Sequence, residues 1–197
     1  MSGQTWPKIG GFEHTFDGAG HIIRNLNATT GFIDMLSSGG IVKNLLLVDA
    51  DISSNAHAGG IVGWMMGGTV IACAVSGCKV SGTNYAGGIA GAVDAEPNSV
   101  IACYATSCDI KGPENTSGHI AGRGESVFFS ACYYDGIGNG LGGRQDQPRL
   151  VEQVRQNSWL EAMDSMNQQL SAHDYLWTVN TDPATQDDFP LVLERRQ

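Results

Sequence analysis

A six-residue phrase recurs along this chain and limits what it can fold into. Ala58-Gly59-Gly60-Ile61-Val62-Gly63, Ala86-Gly87-Gly88-Ile89-Ala90-Gly91 and Ser117-Gly118-His119-Ile120-Ala121-Gly122 stand 28 and 31 residues apart. Gly31-Phe32-Ile33-Asp34 is a weaker, earlier copy. A second phrase keeps the same period between them. It reads Gly40-Ile41-Val42-Lys43-Asn44-Leu45, Gly68-Thr69-Val70-Ile71-Ala72-Cys73 and Asn98-Ser99-Val100-Ile101-Ala102-Cys103, with Phe129-Ser130-Ala131-Cys132 as a fourth copy. Each unit holds short β-branched runs broken by glycine, and no apolar pattern of helical period. A unit this small cannot bury its own apolar face. Successive units must therefore stack, which is the logic of a parallel β-solenoid. Glycine, 27 of 197 residues, follows this period and not a Gly-X-Y register, so it marks corners and excludes collagen.

Stacking sets equivalent residues above one another at about 4.8 Å. The resulting columns are apolar and predict the interior: Leu45, Cys73, Cys103, Cys132; Val42, Val70, Val100, Phe129; Ile52, Val80, Ile110; and Ala50, Cys78, Cys108. All five cysteines fall in these columns, where a free thiol acts as a small hydrophobe. In-register parallel strands rarely offer disulfide geometry, so reduced thiols are expected. Asp51, Lys79 and Asp109 form an outward column of alternating charge. Val42 and Leu45 cannot both face inward on an unbroken strand, so a bend is expected near Lys43 and Asn44.

Composition narrows the function classes. A net charge of −9 with four lysines argues against nucleic acid. No run approaches the roughly 20 apolar residues of a membrane span, and Met1 to Trp6 lacks the pattern of a signal peptide. The cysteine spacing does not match a zinc site, and the five histidines are scattered. No metal or cofactor is expected. Asp135-Gly136-Ile137-Gly138-Asn139-Gly140 lacks the closing glutamate of a calcium loop and reads as turn chemistry.

The repeat phrases resemble the GLUG-motif repeats of bacterial surface proteins over about residues 6–136. The opening Trp6-Pro7-Lys8-Ile9-Gly10 and Phe16-Asp17-Gly18-Ala19-Gly20-His21-Ile22-Ile23-Arg24-Asn25-Leu26 is similar to the segment that leads into such repeats. The resemblance implies a right-handed parallel β-helix of about four coils on a secreted or surface-anchored, adhesin-like protein, and supplies no catalytic residues. The asparagine expected before the cysteine column stands at Asn25 and Asn44 but is Ala72, Ala102 and Ala131 elsewhere.

After Asp135 the repeats stop. Residues 1–143 are read as the solenoid and 144–197 as a C-terminal helix-plus-strand cap over its open end. A short helix is expected over about Leu150–Arg155. A second follows a Ser158-x-x-Glu161 capping box, with Leu160, Met163, Met166, Asn167 and Leu170 at helical spacing. Two short strands, from Tyr175-Leu176-Trp177 and Phe189-Pro190-Leu191-Val192-Leu193, close the chain.

Three aromatic residues stand out as ligand contacts. Tyr104 and Tyr133 share a column beside the cysteines. If exposed they form a platform for the apolar face of a sugar; otherwise they are a packed ladder serving stability. Trp64, just after a glycine corner, is either a ligand contact or packing against a neighbouring loop. Asp94, Glu96 and Glu114 lie on inter-coil loops, where a β-helix enzyme would place its acids, although such loops are commonly acidic for solubility. The expected function is non-catalytic. The chain reads as a monomeric repeat module of a longer precursor, at the cell surface or outside the cell, binding a glycan or a host or partner protein. A polysaccharide-active enzyme and a structural spacer are the alternatives.

Overall fold

Among the described residues nine other than glycine have positive φ, and most sit at two corners that recur from coil to coil. One corner is Asn44, Ala72, Ala102 and Ala131; the other is Asn25, Asp49 and Ser107, with Gly77 at the equivalent place. Each turns the strand just before an inward residue, so Val42 and Leu45 both reach the core across the kink at Asn44. Asn25 therefore belongs to the second corner, in register with Asp49, because its amide bonds the Val48 carbonyl. Left-handed backbone costs an ordinary residue about 1–2 kcal/mol, and asparagine less.

The structure is a computed structural model that describes residues 4–94, 97–124, 127–142, 151–154 and 158–197. Its body is a parallel β-solenoid of about four coils. The first sheet contains Thr15–Asp17, Ile33–Lys43, Val62–Ile71, Ser99–Ile101 and Phe128–Ser130, with Ala90–Val93 beside the third of these. The second runs Ile22–Arg24, Leu46–Val48, Ala74–Ser76, Tyr104–Thr106, Cys132–Tyr134 and Val151–Gln153. The third is Asn27–Ala28, Asp51–Ser54, Lys79–Gly82 and Asp109–Lys111, and the fourth His57–Gly59, Tyr85–Gly87 and Ser117–Gly118. All of these pairings are parallel and in the register expected: Val42 on Val70 on Val100 on Phe129, and Ile52 on Val80 on Ile110. The interior columns are buried except at Cys108 and Ile110, which are half-buried, and all five cysteines are free thiols.

The fourth sheet needs its glycines for backbone approach. A Cβ on Gly60 would lie 2.2 Å from the Gly88 carbonyl oxygen, and one on Gly59 2.0 Å from that of Val62. On the outward column, Asp51, Lys79 and Asp109 are in register. Asp109 pairs with Lys111 at 2.5 Å, however, and not with Lys79.

The C-terminal segment differs from expectation in two places. Val151–Gln153 is a strand on Cys132–Tyr134, not part of a helix, so the solenoid continues beyond residue 143. Leu150, Arg155 and residues 143–149 lie outside the described residues. The helix Trp159–Gln169 and the antiparallel pair Tyr175–Val179 and Leu191–Arg195 form as read. Ser158 makes no side-chain cap bond, and the helix buries Ala162 and Met166 while Leu160 faces solvent.

These elements pack along the solenoid's side, over the outer face of the second sheet. Arg24 pairs with Asp188 at 2.7 Å in the first coil, and the Trp177 indole donates to the Ala102 carbonyl at 3.0 Å further along. Leu46, Val48, Ala74, Tyr104 and Tyr133 point outward and are buried against Met166, Trp177, Phe189 and Leu191. That seal explains the asparagines missing at Ala72 and Ala102. Ala72 and Ala102 are beneath it and buried, whereas Asn44 has a polar partner in Asp17 at 2.9 Å. An amide under Trp177 would cost more than the backbone relief it brings.

Candidate functional site

Tyr104 and Tyr133 pair in register, as the repeat requires, but they form no exposed platform. Tyr104 is fully buried and edge-on to Trp177 and Trp159, with centroids 5.0 and 5.1 Å away. Its hydroxyl donates to the Leu191 carbonyl. Burial pushes its ionisation well above the usual phenol range. Tyr133 is raised as well, through burial first, although it hydrogen-bonds Ser165. Both rings are seams between the solenoid and its side layer.

Trp64 is placed differently. It is partly exposed on the opposite side, at the position that Ala92 occupies in the next coil. Ala121 bridges Ala90, which puts Arg123 one coil further along the same column. Ala92 leaves space between the two long side chains, and Asp94 fills it. The Trp64 indole donates to Asp94 Oδ2 at 3.0 Å, and Asp94 Oδ1 lies 3.3 Å from Arg123 Nη1. Arg123 also donates to the Tyr85 hydroxyl at 3.2 Å, with its guanidinium carbon 5.5 Å from that ring's centroid. His57, in register with Tyr85, stacks on it at 5.2 Å and leans on Trp64 at 5.6 Å. Five side chains from three coils thus close a circuit.

His57 Nδ1 is buried with no hydrogen-bond partner among the described residues. Burial pulls the His57 pKa below its ordinary value; the Asp94 carboxylate opposes this and Arg123 adds to it. The ring therefore stays neutral at physiological pH.

Beside this circuit runs a groove of about 590 Å3, with Trp64 and His57 on one wall and Lys8, Thr29, Asp34 and Asn55 among its other lining residues. Its remaining side chains are mostly short: Thr30, Ser53, Ser54 and Ala56, with Met35 the one long apolar chain. Sequence reasoning singled out Trp64 and missed its setting. The signal was present in the repeat: His57 and Tyr85 each precede an Ala-Gly-Gly, and Trp64 and Arg123 each follow a closing glycine.

The loop acids do not converge. Asp94 is committed to Trp64 and Arg123, Glu114 is exposed on its own loop, and Glu96 lies outside the described residues. The Asp135 carboxylate accepts from the Ser107 amide at 2.7 Å and from the Thr106 hydroxyl, so it stabilises a corner. Among the cysteines, burial raises the Cys132 and Cys103 thiols, as expected of packing residues. Among the described residues no group of three or more His, Cys, Asp and Glu side chains could hold a metal ion, and no helix is long and apolar enough to cross a membrane. Compared with known proteins, the chain matches no family model, no curated protein and no solved structure.

Proposed function

We propose that this chain is a non-catalytic, adhesin-like binding module, of the kind the GLUG-type repeats imply, acting at the cell surface or outside the cell on a glycan or a partner protein. The observation that carries the reading is the groove at Trp64, whose Trp64 and His57 are held by a circuit of side chains that reaches across three coils. A stacked scaffold holds such a surface without the ordering cost a flexible loop would incur on binding. Among the described residues lining the groove, Asp34 is the carboxylate.

The test sets immobilised protein against a glycan array and against surface proteins of candidate host cells, with a reducing-end assay for polysaccharide cleavage run in parallel. Binding without turnover is the expected result. Polysaccharide cleavage in the reducing-end assay would instead establish the enzyme reading. Silence in every assay would leave only a spacer.

A further inference from the structure

We propose that the groove beside Trp64 is a binding site for a neutral saccharide, whose apolar face lies on the Trp64 indole and whose hydroxyls meet Asp34, Asn55 and the short hydroxyl side chains opposite. This rests on the reading of the chain as a binding module, and commits that reading to one site and one ligand class.

Four observations support the saccharide. The groove pairs one flat apolar wall with a rim of hydroxyl, amide and charged groups, the division a pyranose presents between its faces and its edge. A peptide anchored by aliphatic side chains would find only Met35 to pack against. Asp34 and Lys8 form no ion pair with another described residue, so both are available for charge-assisted hydrogen bonds to ligand hydroxyls. Finally, the indole is already oriented. Its N–H is tied to Asp94, Asp94 is held by Arg123, and Arg123 is held by Tyr85.

Charge selects the neutral class. Among the described residues the groove carries one cation and one carboxylate, His57 adds none at neutral pH, and the chain as a whole is at −9. A polyuronate would meet net repulsion, whereas an uncharged polymer meets none. Asp94, Arg123 and Tyr85 are positioning residues here. Asp94 holds Trp64, Arg123 holds Asp94 and Tyr85 holds Arg123, and the saccharide is placed on Trp64.

The experiment is affinity gel electrophoresis of the full chain in gels containing xylan, galactomannan or β-glucan, and in parallel gels with polygalacturonate or alginate. Isothermal titration with oligosaccharides of any retarding polymer follows. Retardation by a neutral polymer, little changed by salt, is expected. Trp64→Ala should weaken it about tenfold and Trp64→Phe less, in keeping with the worth of a stacked ring. Asp34→Asn, which conserves volume, should weaken it by about tenfold through loss of a charge-assisted bond. Asp94→Asn should weaken it about threefold at unchanged melting temperature, because the ring remains but is less well fixed.

Retardation that Trp64→Ala and Asp34→Asn both leave intact would remove the groove as the site. Retardation by the acidic polymers alone would overturn the neutral class. No retardation by any polymer, together with binding to a host surface protein, would overturn this inference and leave the module reading standing. No binding to anything would remove both.

Discussion

The second and third sheets share the same coils and nearly the same strand lengths, yet one is sealed on both faces and the other is wet. In Leu46–Val48, Ala74–Ser76 and Tyr104–Thr106 every residue is buried. In Asp51–Ser54 and Lys79–Gly82 exposed and buried residues alternate. The outward positions follow suit: Leu46, Val48 and Tyr104 on one, Asp51, Lys79 and Asp109 on the other. A parallel strand with both faces covered reads as a continuous apolar run, and one with a wet face reads as an alternation. The same contrast holds for the aromatic columns. Tyr104 and Tyr133 lie under the C-terminal layer, while His57 and Trp64 line an open groove. Repetition places rings in columns, and what lies over the column decides whether they stabilise the fold or meet a ligand.

The largest effect expected from breaking this contrast is at Trp177. Trp177→Ala empties a fully buried site and should cost about 3–5 kcal/mol in urea unfolding. Trp64→Ala, on the open side, should cost less than about 1 kcal/mol. Equal losses would mean that the two sides are not energetically distinct. Tyr104→Phe keeps the ring but leaves the Leu191 carbonyl unpaired under the layer, at an expected cost of about 1–3 kcal/mol.

Position along one corner column should also matter. Ala102→Asn puts an amide beneath Trp177 and should destabilise by about 1–3 kcal/mol. Ala131→Asn, at a partly exposed position in the same column, should be neutral or slightly stabilising, since asparagine tolerates its backbone better. Matching melting curves for the two variants would show that the seal does not dictate residue choice there.

Alkali tests the seal more gently. Tyr104 and Tyr133 have raised ionisation, so the neutral phenols favour the folded state. Their contribution is complete below the ordinary phenol pKa of about 10 and is lost as pH climbs through the raised values. Difference spectroscopy should show these two tyrosines ionising only as structure is lost. Ionisation in a fully folded chain would contradict the seal.

The smallest effect lies at the exposed rim. Burial works against the Asp17 carboxylate, but hydrogen bonds from Asn44, the Ala19 amide and Lys43 outweigh it and lower its pKa. Its contribution is present above about pH 3.9 and lost as pH falls through the lowered value. Asn44→Ala should flatten that part of the acid limb in a pH series of melting temperatures. An unchanged limb would show that the bond contributes nothing.

Much of the fold was legible because stacking turns a linear period into spatial columns. The cysteine ladders, the valine column and the bend at Asn44 all follow from spacing and the two-residue alternation of a strand. The corner to which Asn25 belongs is not legible in the sequence, because two left-handed corners per coil carry the same residue preference and only hydrogen-bond register separates them. Val151–Gln153 escaped because three residues hold too little pattern to tell strand from helix. The burial of Tyr104 was foreshadowed by the run from Leu45 to Val48, whose lack of alternation already called for a second cover.

Local sequence accounts for the coil, its corners and its interior, since each depends on neighbours one period away. The seal depends on Asp188 reaching Arg24, 164 residues earlier in the chain, and on Trp177 reaching Ala102. Such contacts follow no period, because they form where two finished surfaces happen to be complementary. The same holds for the groove. His57, Trp64, Tyr85, Asp94 and Arg123 are ordinary loop and strand residues until three coils bring their side chains within bonding distance.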